Sequence, residues 1–344
     1  VVLDNDANLI QVSNAAVNTG NITVKRNANL KRSDYTYWGS PVVGQNVKAF
    51  SPETLDSRFY TYNVSNDYFD GLFIQNLYPD NTYSLTPTVD KTTYNFITGK
   101  GYAIRAANNL TSTTTEIAHQ FVGVPYNGVL DVPIEKKSTG GGYNLISNPF
   151  PSNIDFYALY NYTYNGGANK NSDLIYQTAY FWTNTNFNPK MQGSSYPSNL
   201  PSGKQIINNY AVLNGTGGIG APYGFTGTGT NDVVGSTNNC SGCKVPTNVV
   251  KVGQGFIVKA KNIGTSQLRF ENGENIRTNS GVSNFFNRMS SAASETTTNP
   301  DRYWVTLKTP LDFVTPLLVG YVAGASNQYE DDFDAELLVV GGDS

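Results

Sequence analysis

Short alternations of apolar and polar positions, broken every few residues by Gly, Asn, Asp or Pro, run along the chain and predict strands rather than helices. Tyr35-Thr36-Tyr37-Trp38 reads as a strand that stops at Ser40-Pro41, because proline has no amide to give a central ladder. Phe59-Tyr60-Thr61-Tyr62 alternates in the same way. In Gly101-Tyr102-Ala103-Ile104-Arg105-Ala106, a period of two sends Tyr102, Ile104 and Ala106 to one face and Arg105 to the other. Phe121 to Val124 and Val129 to Ile134 are expected to be two strands joined by the turn Pro125-Tyr126-Asn127-Gly128. Ala179-Tyr180-Phe181-Trp182 is apolar throughout and predicts a strand buried on both faces. Residues 154–160, with Ser152 or Asn153 as N-cap, predict one or two helical turns. Three late strands are expected at Tyr303 to Leu307, Leu317 to Val322 and Ala335 to Val340.

One phrase occurs twice. Gly99-Lys100-Gly101-Tyr102-Ala103-Ile104-Arg105-Ala106 and Gly253-Gln254-Gly255-Phe256-Ile257-Val258-Lys259-Ala260 share Gly-x-Gly, an aromatic, an aliphatic two residues on, a base and Ala. Each copy trails a Ser/Asn-Pro step, Ser40-Pro41 and Asn148-Pro149. The expected fold is therefore all-β, with β-sandwich-like modules in series and an internal repeat. Residues 1–30 are a lead-in of short apolar bursts, a meander or the end of a β-solenoid. Residues 31–136 form a first module, 137–271 a second with a long Gly-rich loop, and 272–344 a C-terminal β segment.

Composition supports that class. Charged residues are 14% of the chain against ~25% in ordinary soluble domains, while 23 Tyr and 17 Phe supply bulk suited to pleated surfaces. With 23 basic and 26 acidic residues scattered along the sequence, no cluster could neutralise a nucleic-acid backbone. No apolar run approaches the ~18 residues of a membrane-spanning helix. The stretch opens at Val1 without Met or a charged-then-apolar leader, so any export signal is expected outside it.

Candidate chemistry is sparse. Neither Gly-x-Gly continues into a third Gly, a Lys-Ser/Thr pair or a helix, so both read as tight turns feeding strands. Cys240 and Cys243 sit among Gly, Ser, Thr and Pro, which favours a loop-stapling disulfide over a redox or metal site. Asp4-Asn5-Asp6 opens like a calcium loop, yet Leu9 and Ala15 stand where Gly and a bidentate Glu belong. Asp332, Asp334 and Glu336, on one face of an extended run, have the ligand type for calcium; a solvated acidic turn is the alternative. His119 lies on a strand without a nucleophile motif nearby, and a surface or half-buried place is expected. Trp38, Trp182 and Trp304 are expected to fill cores. Tyr157, Tyr160, Tyr162 and Tyr164, in a Tyr- and Asn-rich loop, are the candidate ligand contacts, since these residue types give contact area and adaptable hydrogen bonds. No catalytic constellation emerges.

The ordered phrases Tyr37-Trp38-x-Ser40-Pro41, Gly101-Tyr102-x-Ile104-Arg105-Ala106, Asn144-Leu145-Ile146-x-Asn148-Pro149-Phe150-Pro151-Ser152-x-Ile154-Asp155, Phe181-Trp182-Thr183, Gly253-Gln254-Gly255-Phe256-x-Val258 and Leu318-Val319-Gly320-Tyr321-Val322 form a pattern. It resembles the C-terminal region of large exported surface proteins of Bacteroidota, cargo of the type IX secretion system that includes adhesin-like and gliding-associated molecules. The resemblance implies an extracellular, surface-displayed, non-catalytic protein that meets translocon or shuttle components during export. It also implies that a sorting domain follows such a region. An extracellular glycan or other surface would be the ligand. A glycan-binding accessory module of a secreted polysaccharide-active enzyme is the alternative.

Overall fold

Alternation of buried and more exposed positions builds the longest strands of the first half of the chain, which with the rest is described by a computed structural model. Described are residues 1–65, 67–77, 82–84, 89–184, 210–221, 223–224, 245–272, 276–279, 302–308, 313–322, 325–330 and 333–335. The first half holds β1 (Val2–Leu3), β2 (Ile22–Leu30), β3 (Tyr35–Trp38), β4 (Val42–Val43), α1 (Val47–Phe50), β5 (Phe59–Asn63) and β6 (Tyr68–Gly71). It continues with β7 (Gln75–Leu77), β8 (Thr82–Ser84), β9 (Tyr102–Arg105) and β10 (Thr115–Pro125). Two sheets result, in the orders β1-β2-β10-β4 and β3-β9-β5-β6, with β7 and β8 as a separate pair. The nine residues of β2 alternate buried and half-buried without a break, which makes 22–30 a long strand of the first sheet rather than part of a short-strand lead-in. Trp38, Phe50, Phe59, Phe96, Tyr102 and Phe121 fill the space between the sheets.

The second half holds β11 (Leu130–Lys136), β12 (Tyr143–Ser147), β13 (Asn153–Asp155), α2 (Phe156–Tyr160), β14 (Thr163–Tyr164), β15 (Asn169–Lys170) and β16 (Ile175–Trp182). After these come β17 (Tyr210–Asn214), β18 (Gly217–Ile219), β19 (Tyr223–Gly224), β20 (Val249–Val250), β21 (Gly255–Ala260), β22 (Gly264–Phe270) and β23 (Arg277–Thr278). The main sheet has the order β12-β21-β16-β17-β18. Its register matches that of the first half: Tyr143 faces Lys259 as Tyr35 faces Arg105, and Leu145 faces Ile257 as Tyr37 faces Ala103. All of Ala179, Tyr180 and Phe181 are buried, so β16 is covered on both faces as its sequence demands. The remaining described strands, β24 (Arg302–Lys308) and β25 (Phe313–Gly320), form a ladder with β19.

Two local expectations need correction. The strands flanking Pro125-Tyr126-Asn127-Gly128 do not pair as a hairpin: β10 is paired with β2 and β4, and β11 pairs instead with β22. Val132 and Ile134 thereby enter the second core, beside Leu268 and Phe270. The helix predicted near residue 154 begins two residues later, because Asp155, not Ser152 or Asn153, caps it, accepting from the amides of Tyr157 and Ala158.

The two halves meet through their shared phrase. Gly39 donates its amide to the Gly253 carbonyl at 3.1 Å, and Ser147 donates to the Gly99 carbonyl at 2.8 Å. Gly99 and Gly253 adopt φ of +80° and +77°, which a side chain disfavours. The second glycine of each phrase is needed for a different reason. A Cβ on Gly101 would lie 2.8 Å from the Ile146 carbonyl, and one on Gly255 would press the Tyr37 backbone. Behind these turns Tyr37, Tyr143, Leu145, Tyr180, Tyr210 and Ile257 form a tyrosine-rich core between the two main sheets.

A strap formed by the N-terminal residues lies across both halves. Arg26 donates to the Ala7 carbonyl, and Arg277 donates to the carbonyls of Leu9 and Gln11. Leu9 in turn donates to Pro151, Asn18 to Pro125, and Asn127 to Ser13 and Ala16. Both arginines are buried to 2% exposure. Among the described residues no helix is long and apolar enough to cross a membrane.

Candidate functional site

Where α1 leads to β5 through residues 51–58, α2 leads to β16 through the longer stretch 161–174, which folds as an arm. Its strands β14 and β15 pair as a hairpin. The hairpin closes tightly because Asn165, Gly166 and Gly167 take φ of +54°, +66° and +90° in succession, values open to Asn and Gly. Tyr164 of β14 and Tyr162 just ahead of the strand are two residues apart, and their rings lie 6.2 Å apart at 12° from parallel.

This pair packs over β22. The Arg269 guanidinium lies 4.5 Å from the Tyr164 ring centroid. Asp131, its direct partner across β11 and β22, fixes it by accepting two hydrogen bonds of 2.8 Å. Those bonds hold the Asp131 carboxyl below the usual carboxylate range and raise Arg269. The Tyr162 hydroxyl donates to the Glu271 carboxylate; burial, with the hydrogen bond and charge of Glu271, pushes this phenol up to about 12. Tyr164 is thus set by packing from below and by its hairpin on either side.

Beside it opens a cavity of about 330 Å³. Tyr164 lines it together with Asn169, Lys170 and Asp173 from the arm and Ser266 and Gln267 from β22. The lining combines one aromatic ring, two amides, a hydroxyl, two opposite charges and the apolar side chains of Ala168 and Leu174. Such a set can stack against an apolar ring face and exchange hydrogen bonds with hydroxyls in both directions.

Of the four tyrosines singled out by sequence, two belong to this arm and two do not. Tyr160 is buried in the core of the second half, and Tyr157 packs against that core and donates its hydroxyl to the Asn214 carbonyl at 2.6 Å. Both sit on α2, whose inward face claims them. Sequence reasoning missed Asp131, Lys170, Asp173, Gln267 and Arg269; the excess length of 161–174 over 51–58 was the signal that could have found the arm.

Other candidates fare differently. His119 is buried at 8% exposure rather than on the surface or half-buried, with its ring 4.8 Å from Trp38 and 5.2 Å from Phe50. Trp38 fills a core, Trp182 is half-buried and Trp304 is exposed. Cys240, Cys243, Asp332 and Glu336 lie outside the described residues. Asp334 is exposed, and its carboxylate accepts from the Glu330 amide at 2.8 Å. Among the described residues no group of three or more His, Cys, Asp or Glu could hold a metal ion.

No curated protein and no solved structure matches the chain. Its residues 1–342 do match one family, and the chain belongs to it: the family described as domain of unknown function DUF8693.

Proposed function

We propose that this chain is a non-catalytic, surface-displayed region of an exported cell-envelope protein, adhesin-like, and that it recognises extracellular glycan through the Tyr164 cavity. The observation that carries the reading is the arm itself. An added hairpin brings an aromatic ring into the lining of a cavity that also has amides, a hydroxyl and two opposite charges. Ring faces of this kind stack on sugars, and such polar sets satisfy their hydroxyls.

The resemblance of the ordered phrases to those of type IX secretion cargo supports export by that route, with translocon or shuttle components as transient partners. Duplication of a sandwich-like module explains the two halves. What supports it is the common strand order and register of the two main sheets, and the reciprocal contacts of their Gly-x-Gly turns. On this view the arm was added to one copy only. The alternative, a glycan-binding accessory module attached to a secreted polysaccharide-active enzyme, uses the same cavity.

A glycan array probed with the folded chain, with and without calcium, tests the proposal. Binding to one sugar class that is lost in Tyr164→Ala supports it. A blank array, or binding indifferent to Tyr164, overturns the cavity as the recognition site.

A further inference from the structure

Arg26 and His119 face each other on the inner sides of β2 and β10. Alternation calls for apolar side chains there, and the neighbours on that face are Val24, Ala28 and Phe121. The other half supplies the comparison. In it Phe270 faces Leu130, and two residues back Leu268 faces Val132. In the first half Phe121 faces Val24, and two residues back His119 faces Arg26. An apolar pair therefore suffices in this architecture where the first half buries an arginine and a histidine. Burying such groups costs several kcal/mol unless charge and hydrogen bonds are compensated.

Within the described chain they are compensated only in part. The Arg26 Nε donates to the Val252 carbonyl and Nη2 to Ala7, both at 3.1 Å, while buried Nη1 has no partner. His119 Nδ1 is buried without a partner as well. Gln254, two residues past Val252 and 1% exposed, spends its Oε1 on the Lys251 amide and leaves Nε2 unpaired. Gln254 is bridged to Trp38, whose ring lies against His119, so the three belong to one neighbourhood. Arg277 makes the contrast: equally buried, it uses all three guanidinium nitrogens on Ser152, Asn272, Gln11 and Leu9. Asp6 on the strap is the acid whose charge acts on Arg26, and no carboxylate among the described residues forms an ion pair with it.

Two of the unpaired groups, a guanidinium N–H and an amide N–H₂, can only donate, and the imidazole Nδ1 donates in one of its neutral tautomers. A donor set carrying a positive charge suits an anion rather than a cation. A water molecule there would find one side-chain acceptor among these three groups, His119 Nδ1, and only in the tautomer that carries its proton on Nε2. We propose that Arg26, His119 and Gln254 form an internal site for one monovalent anion of halide size.

The test compares thermal unfolding of the whole chain in sodium chloride or bromide with sodium gluconate, an anion too large to enter, at matched ionic strength. Chloride and bromide are expected to raise Tm by ~3–5 °C, with saturation. Arg26→Val with His119→Leu, which copies the pair at Val132 and Leu268, is expected to fold and to lose that dependence. If the double variant does not fold, bromide anomalous diffraction on the unaltered chain decides. A peak within hydrogen-bond reach of Arg26 Nη1 and Gln254 Nε2 supports the site. Equal Tm in halide and gluconate, or a water with no anomalous signal at that place, overturns it.

Discussion

Tyr37 and Tyr210, which are 173 residues apart, share a hydrogen bond of 2.5 Å between their hydroxyls in the core that joins the two halves. Burial of both, with each hydroxyl facing the other, keeps Tyr37 un-ionised well above the usual phenol range. Each hydroxyl satisfies the other where water is excluded. Replacing one takes this bond from the other in a buried setting, and that costs more than the bond is worth. Tyr37→Phe and Tyr210→Phe are each expected to destabilise by about 1–2 kcal/mol, and the double variant by less than their sum. A double-mutant cycle in urea measures this; additive losses would refute the pairing.

Glycine at 101 is required by the approach of the other half. An alanine Cβ would meet the Leu145 side chain and the Ile146 carbonyl at 2.7 and 2.8 Å. Gly101→Ala should cost about 2–3 kcal/mol through overpacking at the junction. Gly44 has φ +92° but open space around it, so Gly44→Ala should cost only the ~1 kcal/mol of the left-handed conformation. Thermal melts of the two variants separate steric from conformational cost.

His119 makes stability depend on acid. Burial lowers its pKa from 6.5 to about 4, so between those values the unfolded chain binds the proton and the folded chain does not. Stability from this group is complete above pH 6.5 and falls as pH drops toward 4. The loss amounts to about 3 kcal/mol before it levels off. The groups facing the ring are Arg26 across the ladder and the aromatic rings of Trp38 and Phe50, and a hydrogen bond with the Ile117 backbone offsets only part of the effect of burial. Chemical denaturation from pH 4 to pH 7 should show this slope, and His119→Leu should lack it.

The pair Asp131 and Arg269 is partly exposed, so its net contribution to stability is small, below about 1 kcal/mol. Its work is to hold the cation under Tyr164. Asp131→Asn should leave Tm nearly unchanged and weaken glycan binding at least about tenfold, a change of ~1.4 kcal/mol. Equal binding by the variant in a titration would show that the ring needs no such support.

The strands were legible because period two is a local property: β2, β3, β9 and β16 can each be drawn from their own residues. Pairing was not. β11 follows β10 after four residues yet joins β22, and that choice depends on where Val132 and Ile134 find apolar partners. The Gly-x-Gly phrases read correctly as turns, but not as turns that touch each other's halves. Two of the four tyrosines in the cluster, Tyr162 and Tyr164, do lie together on the arm. Its support was not legible, since only the ladder brings Arg269 to Asp131 across 138 residues.

The strap across the two halves has a mechanical consequence. Tension on the chain ahead of Arg26 would reach bonds to Arg26 and Pro125 in the first half and to Pro151 and Arg277 in the second. These anchors lie along one stretch, and β1 lies parallel to β2, so a pull along the strands loads that short ladder in shear. On the proposed adhesin-like role the chain would be loaded in this way, and its two halves would bear the force together before either began to unravel.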